Sequence, residues 1–378
     1  MVPKDSRLVV FGSYGGRYPG GNSKLVFEYL RQLPNSPLKC YFLSQTPANE
    51  PGHVALRPMT LRTFFLYLRA KTQVTTHTAA DMGILRPSRR KYRIHLWHGH
   101  SGPKADGWVS KKFSVNDRMN LERDAKFITK FLVTSRINLY YWAYALILRP
   151  YQLMPLGFPR NDILLSKNQI ASRLPKMLNY EEKYDHVILY APTYKKWAEK
   201  TFFPFDDFDE QQLEDWLERN RVLLLLRHHI NQEADVSETR NIRDLSSDIC
   251  PDVNQILPEV DILVTGYSSI ASDFLLMNKP IVYVVSDRYE FEKREGFVFG
   301  NYDFWTPGPK VDSFKLFIEE AQKFISGEDK YSEKRETVNQ LINEYQSDNS
   351  TEKVARYLIE FITKGEDTTT RYSINFMG

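Results

Sequence analysis

Three histidines crowd one short stretch of the chain, Ile94-His95-Leu96-Trp97-His98-Gly99-His100. The run starts as an apolar strand and ends in a glycine turn. An imidazole at a strand end can act as a general base, because its pKa lies near neutral pH. His98, directly before the flexible Gly99, is the candidate base. His95 alternates with Trp97 inside the strand and reads as a core histidine, while His100 fits either role. Alternation would turn His95 away from His98, so the three make a poor zinc site.

Anion chemistry recurs further along. In Leu226-Arg227-His228-His229 an apolar strand ends in an arginine and two histidines. Arg227 and one histidine can donate to a phosphate. Only one of the histidines can face a ligand from extended chain. His229 is the choice, with a solvated loop as the alternative. In Val264-Thr265-Gly266-Tyr267-Ser268-Ser269, followed by Asp273, a strand runs into a helix start. Helix starts carry unpaired N–H groups suited to phosphate. Ser268 and Ser269 add hydroxyl donors, or serve only as an N-cap. Two weaker stretches accompany these. Gly157-Phe158-Pro159-Arg160-Asn161-Asp162 offers Arg160 to an anion, and Tyr190-Ala191-Pro192-Thr193-Tyr194-Lys195 offers Thr193 and Lys195 to a nucleotide. Each alone reads as a turn.

All these residues follow short apolar runs. Leu8 to Phe11, Tyr41 to Leu43, Ile94 to Trp97 and Phe131 to Val133 read as buried strands, with a helix over Ser23 to Leu33. The pattern restarts with Val187 to Tyr190, Val222 to Leu226, Asp261 to Val264 and Ile281 to Val285. A helix from Ser269 to Met277 is ended by Pro280. Strands alternating with helices mark parallel sheets with crossover connections. The expected fold class is α/β, with two doubly wound Rossmann-type halves facing a central cleft. The first half is expected over 1–165 and the second over 166–345, with a C-terminal helix and loose tail over 346–378. In such sheets ligands bind beyond the carboxyl ends of the strands.

The 378 residues carry a net charge of +4, with 42% hydrophobic and 26% charged residues. That is globular and only mildly basic, without the basic clusters expected of a nucleic-acid binder. Two cysteines, Cys40 and Cys250, form no CxxC pair. The start lacks a signal-like apolar run, and no stretch reaches the roughly 18 apolar residues of a spanning helix. The expectation is a cytoplasmic or peripheral protein. Leu61 to Lys71 mixes Phe64, Phe65, Leu66 and Leu68 with Arg62, Arg69 and Lys71, a composition suited to an anionic membrane surface or to a core helix. Asn138 to Leu148, with Tyr140, Tyr141, Trp142 and Tyr144, reads more as core.

Taken in order, these pieces resemble the CDP-glycerol glycerophosphotransferase family of teichoic acid primases and polymerases. The resemblance covers residues 8 to 312. It runs from Phe11-Gly12-Ser13 and Asn22 through the motifs above to Arg294-Glu295-Gly296-Phe297 and Pro307-Gly308-Pro309. It implies a GT-B-like arrangement, a CDP-alcohol donor held by the second half and a lipid-linked polymer or primer as acceptor. By the same resemblance, His98 is the base and His229 the second catalytic histidine. Arg160, Thr193, Arg227, Tyr267, Ser268, Ser269 and Asp273 bind substrate. No cofactor or metal is required. Two departures stand out. Gly266 replaces a usual Asp on the donor side. His100, with Ser101-Gly102-Pro103-Lys104, replaces a usual Thr and its Pro-Leu-Lys continuation on the acceptor side. The expected reaction is attack of an acceptor hydroxyl on the donor β-phosphorus with loss of CMP. A GT-B glycosyltransferase using a nucleotide sugar is the alternative.

Overall fold

The computed structural model describes residues 2–56, 60–77, 79–83, 90–100, 102–166, 172–193, 195, 197, 202–227 and 236–365. Its short apolar runs form strands because both of their faces are covered. Val9, Val10 and Phe11 are fully buried, as is nearly all of Val222–Leu226. Strands buried on both faces belong in parallel sheets, and every strand pair here is parallel.

The first sheet contains β1 (Asp5–Phe11), β2 (Lys39–Ser44), β3 (His53–Ala55), β4 (Ala70–Thr75), β5 (Tyr92–His95), β6 (Lys130–Val133) and β7 (Leu153–Pro155), in the order β3-β2-β1-β4-β5-β6-β7. The helices α1 (Gly21–Gln32) and α2 (Leu61–Arg69) lie on opposite faces. The connections from β5 to β6 and from β6 to β7 contain α3 (Val115–Ala125) and α4 (Arg136–Ala145). Side-chain alternation agrees. Val9 and Phe11 pack with Val26 and Phe27 of α1, whereas Leu8 and Val10 pack with Tyr67 of α2. Sequence reading passes over β4, because Thr72, Gln73 and Thr75 look like a polar loop. All three are buried at the centre of the sheet, beside β1.

The second sheet contains β8 (His186–Ala191), β9 (Val222–Leu226), β10 (Ile242–Asp244), β11 (Ile262–Thr265), β12 (Ile281–Val284) and β13 (Lys310–Val311), in the order β10-β9-β8-β11-β12-β13. Both orders reverse at a switch point, β1/β4 in one sheet and β8/β11 in the other, which is the doubly wound topology expected.

The chain divides into two units, but not as two contiguous halves. The first unit is Met1–Gly99, Phe113–Asp162 and Asn343–Gly378, and the second is His100–Lys112 and Ile163–Ile342. Two segments depart from a contiguous division. Residues 100–112 belong to the second unit: the Ala105 N–H donates to the Gly296 carbonyl at 3.0 Å and the Lys111 N–H to the Glu295 carbonyl at 3.2 Å. The C-terminal helix Ser350–Lys364 belongs to the first, where Val354, Leu358 and Phe361 join the core around Val26 and Phe27. Asp162 holds the start of that helix, accepting from the N–H groups of Ser350 (3.0 Å) and Thr351 (2.8 Å). It therefore caps the C-terminal described helix.

Candidate active site

In the first unit the functional residues gather beyond β5. The strand ends at His95, two residues earlier than the apolar pattern suggests, because Trp97 takes φ +53°. A bulky residue rarely occupies that left-handed region, at a cost of order 1–3 kcal/mol. Tertiary contacts hold it there. Its indole meets Trp142 edge-on at 4.8 Å and Phe131 at 5.3 Å. The buried Asn22 amide donates to the carbonyls of Leu96 and Trp97, both at 2.9 Å.

This turn swings His98 back over the exit of β4. The expectation that His95 and His98 face opposite ways is thereby corrected, since both reach His77. His95 Nε2 lies 3.1 Å from the His77 carbonyl, and the His98 ring stacks on the His77 ring at 4.2 Å and 11°. His98 Nδ1 lies 3.3 Å from the Thr76 carbonyl oxygen. A carbonyl can only accept, so Nδ1 carries the proton and the basic lone pair sits on Nε2. Arg160, expected to hold an anion, donates through Nη1 to the His98 carbonyl at 2.6 Å. Its own N–H reaches Asn22 Oδ1 at 2.9 Å. Asn22 therefore ties the histidine turn to the Arg160 turn, and it lies 74 residues from Leu96 in sequence.

Beneath these groups lies Asp81, fully buried. It accepts from the N–H groups of Thr76 (2.8 Å), His77 (2.7 Å) and Gly15 (2.8 Å). Gly12 allows this approach, since a Cβ there would come within 2.3 Å of the Asp81 carbonyl oxygen. Neither His77 nor Asp81 stands in a motif, and sequence reading missed both.

Burial, with the Arg160 cation beside it, lowers the His77 imidazole to about 4. Burial also holds His95 well below the ordinary value. An unfolded imidazole titrates near pH 6.5, so below that pH protons favour the unfolded chain. The stabilisation is complete above about pH 6.5 and is lost as pH falls towards about 4. Thermal melts of the whole chain between pH 7 and pH 4.5 should show a falling midpoint. His77→Phe should flatten that slope, and an unchanged slope would remove His77 from the account.

In the second unit the expected residues follow β8 and β11. Thr193 Oγ accepts from the Tyr267 N–H at 2.6 Å, joining the two strand exits. Gly266 keeps that junction tight, with a Cβ there meeting Thr193 Oγ at 3.2 Å. The Tyr267 ring is buried and stacks on Phe291 at 4.0 Å. Its hydroxyl donates to Asp287 Oδ1 at 2.9 Å. Burial and the Asp287 charge push this phenol far up, so it stays neutral. Lys195 pairs with the other oxygen of Asp287. Ser268 and Ser269 are half-buried at the start of Ile270–Phe274, and Ser269 makes no side-chain cap. A cavity of about 740 Å³ opens at these strand ends. Thr193, Lys195, Trp197, Tyr267 and Asp287 are among the residues lining it.

Other expected residues have different places. Asp273 is buried on the inner side of its helix, and His100 Nε2 meets its Oδ1 at 3.1 Å. It anchors the 100–112 segment and does not face the cavity. Arg227 donates through Nη1 to the carbonyls of Leu245 (3.1 Å) and Cys250 (2.8 Å), bracing the exit of β9. His229 lies outside the described residues. Among the described residues no three His, Cys, Asp or Glu side chains are grouped to hold a metal ion.

The two doubly wound units thus carry a histidine cluster at the strand ends of the first and a cavity of about 740 Å³ at the strand ends of the second. The family described as CDP-Glycerol:Poly(glycerophosphate) glycerophosphotransferase matches residues 1–360, and the chain belongs to it. It is 27% identical over 354 residues to a teichoic acid poly(glycerol phosphate) polymerase of Bacillus subtilis (strain 168), covering 87% of this chain and 45% of that protein. It is 23% identical to a teichoic acid ribitol-phosphate primase of Bacillus spizizenii, covering 97% of this chain and 94% of the primase. A solved structure of the wall teichoic acid polymerase TagF superposes with a TM-score of 0.80 at 20% identity, covering 96% of this chain and 90% of that one. The fold is GT-B-like, as the sequence implied.

Proposed function

We propose that the chain transfers a polyol-phosphate unit, glycerol phosphate or a relative, from a CDP-alcohol to a hydroxyl of a lipid-linked primer or growing cell-surface polymer. The acceptor oxygen bonds to the β-phosphorus, the bond from that phosphorus to the bridging oxygen breaks, and CMP leaves. The acceptor proton passes to His98 Nε2. The observation carrying this reading is the 3.3 Å contact of His98 Nδ1 with the Thr76 carbonyl, which places the proton on Nδ1 and the lone pair on Nε2. Arg160, beside the same turn, offers positive charge to phosphoryl oxygens.

The donor phosphates are assigned to the turn Tyr267-Ser268-Ser269. The helix after it, Ile270–Phe274, has only 5 residues. The work therefore falls to local N–H groups and the two hydroxyls, more than to a macrodipole. Replacing both serines with alanine should weaken CDP binding roughly 10- to 100-fold, the net loss of one hydrogen bond to charge at about 1.5–3 kcal/mol. Calorimetry with CDP checks this, and unchanged affinity would take the turn out of the donor site.

A nucleotide screen tests the reaction class. CMP and CDP should raise the thermal midpoint, because a ligand bound only by the folded state stabilises it. Stabilisation by UDP alone would favour the nucleotide-sugar reading. Mass spectra of products from CDP-glycerol and CDP-ribitol, with a lipid-linked disaccharide as acceptor, identify the polyol.

We assign the acceptor side to a membrane surface. Among the described residues no helix is long and apolar enough to cross a membrane, so contact would be peripheral. The described residues of the first unit expose nine large apolar side chains. They are Leu61, Phe64 and Phe65 of α2, Val115 and Met119 of α3, Tyr140 and Tyr144 of α4, and Ile147 and Tyr151 just beyond. Segments 61–71 and 136–152 add Arg62, Arg69, Lys71, Arg136 and Arg149 and contain no carboxylate. That combination suits an anionic interface.

A further inference from the structure

We propose that His77 is a positioning residue for His98: its imidazole face and the Thr76 carbonyl beside it form a rigid seat for the catalytic ring. The proposal rests on the reading of His98 as the base.

Three independent observations carry it. The two rings lie 4.2 Å apart and 11° from parallel, so His77 covers one face of His98. The His98 ring also meets Trp97, with ring centres 4.5 Å apart. The seat is itself immobilised. Asp81 takes the N–H groups of both Thr76 and His77. His95 Nε2 donates to the His77 carbonyl, and the Tyr14 N–H donates to His77 Nδ1 at 3.3 Å. The His77 ring also meets the Tyr14 ring, tilted, at 4.5 Å, and Tyr14 stacks on Tyr18 at 4.6 Å. The Thr76 carbonyl fixes which nitrogen of His98 is basic, and the His77 ring fixes where that nitrogen points. Either alone would leave the imidazole free to swing or to flip.

The electrostatics suit the role. Burial, with the Arg160 guanidinium beside it, keeps His77 neutral at working pH, and its Nδ1 accepts from a backbone N–H. A charged partner at stacking distance would oppose protonation of His98, whereas a neutral ring accommodates the imidazolium that forms as the acceptor loses its proton. His77 needs no contact with substrate to do this.

The expected result is a loss in kcat without a matching change in KM. His77→Ala should lower the kcat of CMP release roughly 10- to 100-fold, the range for misplacing a reacting group by about 1 Å. The KM for CDP-glycerol should change less than about twofold, since ground-state binding is untouched. His77→Phe keeps a flat ring against His98 and should recover activity to within about threefold of the parent, although the Tyr14 N–H loses its acceptor. In a His98→Ala background, His77→Ala should cause no further loss, because a residue acting through His98 has nothing left to position. Equal activity of His77→Ala and parent would overturn the proposal, as would a second full loss in the His98→Ala background. If His77→Ala does not fold, His77→Phe decides: activity as low as that of His98→Ala would also overturn it. If His98→Ala itself stays active, the failure belongs to the assignment of the base.

Discussion

Replacing His98 with alanine is expected to lower CMP release from CDP-glycerol by roughly 100- to 10,000-fold, the usual contribution of a positioned acid–base group. His98 stands beyond the end of β5, half-buried, with Nδ1 on the Thr76 carbonyl. The substitution removes the proposed proton acceptor and leaves the surrounding network in place. Asn22 still holds the Leu96 and Trp97 carbonyls, Asp81 still holds the β4 exit, and Arg160 still has a backbone carbonyl at residue 98 to bind. Thermal unfolding should therefore remain close to the parent. CDP affinity should also persist, because Tyr267, Ser268 and Ser269 belong to the other unit. A folded His98→Ala protein with near-parent turnover would exclude His98 as the base.

The second large effect concerns membrane binding. The expectation that Phe64, Phe65, Leu66 and Leu68 all offer apolar area is only half met. Thr60 caps α2 by accepting from the Thr63 N–H at 3.1 Å. That start turns Thr63 and Tyr67 inward, while Leu66 and Leu68 pack against the core around Leu8 and Val10. Leu61, Phe64 and Phe65 remain outward, at 78%, 39% and 51% exposure. Lys71 is also taken. It donates to the Arg90 carbonyl at 3.1 Å and lies 4.6 Å from the Tyr92 ring centre. Reversing its charge would disturb the sheet as well as the surface, so the probes are Arg62 and Arg69, the latter 3.9 Å from Asp5 Oδ2 at the start of β1. Each basic residue near an anionic leaflet contributes about 1 kcal/mol. Reversal removes that attraction and adds repulsion, so Arg62→Glu with Arg69→Glu should cost about 4 kcal/mol, or roughly 1,000-fold in partitioning. Flotation on phosphatidylserine vesicles should be abolished, and CMP release with a short water-soluble acceptor should persist. Phe64→Ser with Phe65→Ser should weaken flotation in high salt as well, where charge attraction is screened. If both double variants float like the parent, α2 is not the contact.

Much of this protein is legible in its linear sequence. Buried parallel strands announce themselves as apolar runs, so the alternation that defines two doubly wound units is visible directly. Glycine turns and serines after those runs locate the strand ends where ligands bind, and the ordered motifs identify the family. These features are local, set by periodicity and backbone chemistry within a few residues. What only the tertiary structure decided is non-local. The polar stretch Thr72-Gln73 looks like a loop until β1 pairs with it. Asp273 shares its helix start with Ser268 and Ser269, yet it turns inward because His100 arrives from a segment 173 residues away to meet it. The partnership of His77 with His98 depends on β4 and β5 lying side by side and on Trp97 adopting φ +53°, a conformation its side chain resists and only its packing sustains. A sequence specifies which residues can do chemistry, but a contact between two strand exits exists only once the sheet has set their distance.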